Sequence, residues 1–116
     1  MEKLEEVLEY GVAEVLGDPE KEPYKLVDVV DIHRYLSESL PKHGFEYSME
    51  KCNDTLVNLV KRGKLMMWYS FKSYNEGFTC KIAYDNKKTR ELRGYDESLT
   101  NDAIDWLYGL GDYSQG

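Results

Sequence analysis

Cysteine and histidine are scarce in this chain, with two of each in 116 residues. Cys52 and Cys80 are too few for a disulfide framework or an all-cysteine zinc site, and neither lies at a metal-binding spacing from His33 or His43. Both cysteines fall at inward-facing positions in the pattern below, as buried free thiols. The glycines are scattered singly at Gly11, Gly17, Gly44, Gly63 and beyond, so no phosphate-cradling loop is present. No Ser/His/Asp or Cys/His arrangement stands out, and the carboxylates are spaced as solvated helix faces; Glu46, Glu50 and Lys51 match a nuclease set in letters only. The expectation is a non-enzyme without metal or cofactor. The longest apolar run, Leu65-Met66-Met67-Trp68-Tyr69, falls far below the roughly 18–20 residues that span a bilayer. The acidic start Met1-Glu2-Lys3-Leu4-Glu5-Glu6 lacks the pattern of a secretion signal, which makes the cytoplasm the expected compartment and a membrane an unexpected partner.

What the chain does have is charge sorted by position. Residues 1–40 hold 4 Lys/Arg against 11 Asp/Glu, a net of −7. Residues 41–93 hold 11 against 6, a net of +5, and residues 94–116 hold 5 acids and no base. A basic middle lets a protein with an isoelectric point near 4.8 still offer a positive surface to a polyanion. Hydrophobic content of 41% and 10 tyrosines suit one modest core. The expected organisation is one domain over residues 1–110 (core 2–84) with a flexible tail at 111–116.

Periodicity gives the elements. Leu4, Val7, Leu8, Gly11, Val12 and Val15 recur at three and four, the spacing of a helix over 2–16 that Gly17-Asp18-Pro19 ends. Tyr24–Asp28 reads as a brief extended segment, with Asp28 placed to cap a helix from Val29 to Leu40 that buries Val29, Ile32, Leu36 and Leu40 and stops at Pro41. Ser48 is a good N-cap for a helix from Met49 to Arg62, inward at Met49, Cys52, Leu56, Leu59 and Val60, with Gly63 as its stop. From Leu65 the period becomes two. Leu65, Met67, Tyr69 and Phe71, then Phe78, Cys80, Ile82 and Tyr84, flank the turn Tyr74-Asn75-Glu76-Gly77, which is a β-hairpin pattern. Asp85–Gly94 reads as a polar, basic connection. A last helix over about 98–109 turns Ala103, Ile104, Leu107 and Trp106 inward.

The order helix, strand, helix, helix, hairpin, helix makes the fold class α+β. Over residues 2–84 the topology resembles the winged helix-turn-helix superfamily. The resemblance is carried by the Val29–Leu40 helix, by the Ser48–Arg62 helix closing in Lys61-Arg62-Gly63-Lys64-Leu65, and by the hairpin. The Pro41–Tyr47 turn is longer than in the tightest helix-turn-helix units.

The resemblance implies a DNA-binding protein, a small transcriptional regulator. It places the 48–62 helix in the major groove and the 65–84 hairpin against the backbone as the wing. The face opposite the apolar stripe offers Lys51, Thr55, Asn58, Lys61 and Arg62, with Lys72 and Lys81 on the wing and Lys87, Lys88, Arg90 and Arg93 beyond it. Asp54 and Glu50 fit that role poorly, since each would sit near phosphate. The alternative is a protein-binding winged-helix module, of the kind a viral or plasmid protein uses on a host factor. Outward-facing Met66 and Trp68 either lie under a packed helix or form a partner patch. The stripes of the first and last helices can pack on their own chain or build a homodimer.

Overall fold

The computed structural model describes residues 3–75, 77–93 and 97–115, and their side chains except at positions 69, 71, 72, 78, 93, 97, 98 and 110–115. The first apolar stripe forms helix α1 (Leu4–Leu16), which buries Val7, Leu8, Gly11, Val12 and Leu16. Gly11 is there for closeness: a Cβ at this position would stand 2.5 Å from Leu36 Cδ2. After a loop comes β1 (Val27–Asp28), which leads into α2 (Val29–Lys42).

Two local expectations for α2 need correction. Asp28 holds the N-cap position with an extended backbone, but its side chain makes no capping bond. The carboxylate is instead engaged by Lys81 at 2.6 Å and accepts from the Thr79 hydroxyl at 3.4 Å. Pro41 does not stop the helix either; it lies within the last turn. The stop is Gly44, at φ +84. Its N–H donates to the Pro41 carbonyl at 3.1 Å, and the Phe45 N–H donates to the Leu40 carbonyl at 3.0 Å. That is a Schellman closure, which satisfies the last carbonyls and needs a left-handed residue.

Helix α3 (Met49–Lys61) begins as expected, with the Ser48 hydroxyl accepting from the Lys51 N–H. It ends by the same device: Gly63 sits at φ +75, and the N–H groups of Gly63 and Lys64 donate to the carbonyls of Val60 and Leu59, each at 3.0 Å. Met49, expected inside, is 44% exposed, because the first helical residue lies at the edge of the buried row.

Strands β2 (Leu65–Ser73) and β3 (Gly77–Tyr84) pair antiparallel from Leu65↔Tyr84 to Ser73↔Gly77, with an irregularity between Phe71 and Ser73. β1 adds to β3 at Val27↔Ile82 and Asp28↔Lys81, so the sheet order is β1-β3-β2. The connection after the hairpin is no plain loop. It contains α4 (Lys87–Arg93). Asn86 caps it, its Oδ1 accepting from the Thr89 N–H at 2.8 Å while its amide donates to the Pro23 carbonyl at 2.8 Å. Arg90 forks onto both oxygens of Asp85 at 2.6 Å. Helix α5 (Glu97–Gln115) is longer than the expected 98–109.

The sheet is covered on both faces. Leu65, Met67, Cys80 and Ile82 join the buried residues of α1, α2 and α3, with Ala103 and Leu107 from α5, in the main core. Met66, Trp68 and Ala83 form a second cluster on the opposite face, packed by Leu26 and Leu99. Met66 and Trp68 therefore lie under helix α5 and its neighbours and form no exposed partner patch. The fold is α+β, five helices and a three-stranded antiparallel sheet among the described residues, and its element order is compatible with a winged-helix topology. No helix among the described residues is long and apolar enough to cross a membrane.

Candidate functional site: the exposed face of α3

Helix α3 buries Cys52, Asn53, Leu56, Val57 and Leu59, and the helical twist then leaves Lys51, Asp54, Asn58, Lys61 and Arg62 outward, with Thr55 half-buried. The Thr55 hydroxyl donates back to the Lys51 carbonyl at 3.1 Å, which spends its donor inside the helix. Lys51, Thr55, Asn58 and Arg62 come together along one wall of a groove of about 320 Å³. The other wall is α1, which contributes Leu4, Glu5, Leu8 and Glu9. That neighbour was not legible beforehand, because periodicity tells which face of a helix is buried and not which exposed faces adjoin.

The groove's charge is mixed, with Glu5, Glu9 and Asp54 against Lys51 and Arg62. Arg62 Nη1 stands 2.9 Å from Glu9 Oε1, with both side chains well exposed (46% and 38%). Such a pair contributes roughly 0–1 kcal/mol to stability, but it occupies a guanidinium that would otherwise reach a phosphate. At the edge of the groove the Tyr108 hydroxyl donates to Asp54 Oδ1 at 2.6 Å, which ties α5 to α3. Burial, this bond and the nearby charges of Asp54 and Glu50 push the Tyr108 phenol up to about 12. The exposed face of α3 is thus flanked by both α1 and α5.

The remaining cations expected at the site are dispersed. Lys61 turns away from the groove and lines a pocket at the base of the hairpin with Asp85, Arg90, Thr100 and Asn101. Lys81 is no free wing contact: only 26% exposed, it stands 2.6 Å from Asp28 Oδ1 on the sheet face shared with Trp68. Lys88 Nζ sits 5.4 Å from the Tyr24 ring centre, a cation–π contact. Lys87 is exposed at the start of α4, and the side chains of Lys72 and Arg93 lie outside the described residues.

Between α2 and α3 runs a polar network that the sequence did not announce. His33 Nε2 is 2.8 Å from Asn53 Oδ1, and His33 Nδ1 is 2.7 Å from the Tyr47 hydroxyl. With Asn53 presenting its oxygen, Nε2 carries the proton and donates, while Nδ1 accepts from Tyr47. Burial lowers the His33 pKa, and the Asn53 bond opposes this in part. Asn53 is 3% exposed, so the network fixes the α2–α3 angle rather than meeting a ligand.

Both cysteines are buried free thiols; burial pushes Cys52 up to about 11 and Cys80, also facing Asp28, up to about 12. Among the described residues no three His, Cys, Asp or Glu side chains gather as a metal site. Compared with protein-family models, with curated proteins and with solved structures, the chain matches none of them.

Proposed function

We propose that the protein is a winged-helix module that binds another protein through the groove between α1 and α3. The winged-helix reading is supported by the order helix, strand, helix, helix, hairpin, by the β1-β3-β2 sheet, and by the direct run from α3 through Gly63 into β2. One observation carries the functional half: the α3 face that would read bases shares its groove with Glu5 and Glu9 of α1. A phosphate backbone approaching Lys51 and Asn58 would meet those carboxylates and Asp54. A polypeptide would meet mixed charge beside the half-buried Leu4, and mixed polar and apolar contact is how protein-binding surfaces are commonly built. The apolar stripes of α1 and α5 pack into the chain's own core, and this supports a partner other than a second copy.

The test is retention of a partner by tagged wild type from nuclease-treated lysate, compared with Asn58→Arg. The expected result is a stoichiometric polypeptide that the variant, which fills the groove from an exposed position, fails to retain. A partner that disappears on nuclease treatment, or that the variant keeps, overturns the proposal.

Duplex DNA is the second reading. It is favoured by Lys51 and Lys61, exposed on α3 with no ion pair among the described residues, and by Lys64 beside them in the turn. On this reading, affinity for a random duplex falls with salt by a log–log slope of about 0.9 per phosphate contact, and replacing Lys51 or Lys61 lowers that slope by about one contact. An unchanged slope in both variants removes the DNA reading.

A further inference from the structure

One titratable side chain sits where α2 meets α3 and holds both α3 and the turn before it. His33 Nε2, 2.8 Å from Asn53 Oδ1, reaches the buried row of α3. Nδ1, 2.7 Å from the Tyr47 hydroxyl, reaches the residue next to the Ser48 N-cap. The Tyr47 ring stands edge-on to the imidazole, with the two planes at 90°. The side chains facing His33 are neutral: Asn53 from α3 and Tyr47 from the turn, with Cys52 beside Tyr47. On its own helix the residues one turn away, Val29, Val30, Leu36 and Ser37, carry no charge either. Glu46, Glu50 and Lys51, the charged groups of the turn and of the start of α3, are exposed. A charge formed on this half-buried ring therefore finds no opposite charge to offset it.

The bond to Tyr47 has a direction. In the neutral ring Nε2 carries the proton and donates to Asn53, so Nδ1 is an acceptor and the Tyr47 O–H points at it. A second proton, taken from water onto Nδ1, would put two hydrogens into a 2.7 Å contact that has room for one. Asn53 still accepts, but the Tyr47 hydroxyl must become an acceptor and send its own hydrogen elsewhere. Tyr47 is half-buried, so the freed O–H reaches water when the turn that carries it swings outward. That turn runs into Ser48, whose hydroxyl accepts from the Lys51 N–H at 3.3 Å, longer than usual for such a bond. Lys51 in turn lines the α1–α3 groove. We propose that His33, Tyr47 and Asn53 form a proton-operated latch, in which one proton on His33 releases the turn before α3 and reshapes the Lys51 end of the groove. As regulation of docking the latch rests on the protein-binding reading; as a movement of α3 it does not.

The probe is the proton, titrated from pH 7.5 to 5.0 on the ¹⁵N-labelled full chain and followed by NMR. His43 is exposed in the same turn and is replaced by Gln throughout, so that His33 is the one imidazole. The amides of Tyr47, Ser48 and Lys51 are expected to shift together with the His33 ring, at a midpoint below the ordinary 6.5 because burial disfavours the charged ring. Those shifts should be lost in His33→Gln. Tyr47→Phe, which keeps the ring but not the hydroxyl, should leave His33 titrating while the steps at Ser48 and Lys51 disappear. Steps that persist in His33→Gln, or unaltered steps in Tyr47→Phe, overturn the latch, and the second variant serves even if the first fails to fold. A ring that stays neutral to pH 5.0, or that titrates while Ser48 and Lys51 stay still, overturns it as well. No partner enters the measurement, so its failure leaves the docking reading standing, and a failed docking test leaves the latch standing.

Discussion

At the scale of single residues, the molecule's stability rests on a few positions whose chemistry is tightly specified. His33 is one. Burial depresses its folded-state pKa below the ordinary 6.5, so the unfolded chain takes up a proton first as pH falls. Its contribution is complete above about pH 6.5 and is lost as the pH drops from there toward the folded-state pKa. Urea midpoints should fall between pH 7.5 and 5.5, and less steeply in His33→Gln, which keeps polarity but cannot titrate. Equal slopes in the two proteins would exclude His33 as the cause. Gly11 is another: Gly11→Ala drives a methyl into Leu36, and overpacking of this kind costs about 1–3 kcal/mol. Chemical denaturation reads that loss directly, and an unchanged midpoint would mean that α1 and α2 can separate without cost. The thiols are a third case. With Cys52 near 11 and Cys80 near 12, a disulfide reagent at pH 8 should label neither in the folded protein and both in denaturant. Fast labelling of the native state would contradict their burial.

Elements were legible in the sequence where one local rule sufficed. The stripes of α1, α2 and α3, the Ser48 cap, the Gly17 and Gly63 stops and the hairpin turn at Gly77 all follow from periodicity or from backbone freedom at one residue. The failures came where two groups competed for one partner. Asp28 is placed to cap α2, yet a half-buried ammonium across the sheet outbids a backbone N–H for its carboxylate. Pro41 reads as a breaker, yet within the last turn it costs little once Gly44 closes the carbonyls behind it. Helix α4 is too short and too basic to show a stripe; its only signal is Asn86 three residues before Thr89. The two Schellman ends make a prediction at this scale. Gly63→Ala meets no atom within 4 Å, so its penalty is the left-handed backbone alone, about 1–2 kcal/mol. A thermal melt that leaves Gly63→Ala at the wild-type midpoint would show that the turn into β2 can close another way.

For the molecule as a whole, charge order along the chain did not become charge order on the surface. The basic middle divides: Lys51 and Arg62 border a groove with acidic α1, Lys61 and Arg90 meet at the hairpin base, and Lys81 is paired on the sheet. That α3 presents Lys51, Thr55, Asn58 and Arg62 together could be read from their spacing. That Glu5 and Glu9 would face them could not, since it depends on how α1 crosses α3, which no local periodicity encodes. The most direct measurement of whether this groove reads DNA is anisotropy of a labelled random duplex at low salt, with wild type and the double variant Lys51→Glu/Asn58→Glu. Superimposable curves are expected, whether flat or showing weak contact elsewhere on the surface. Wild-type binding that the double variant abolishes would contradict the protein-docking assignment and restore α3 as a recognition helix.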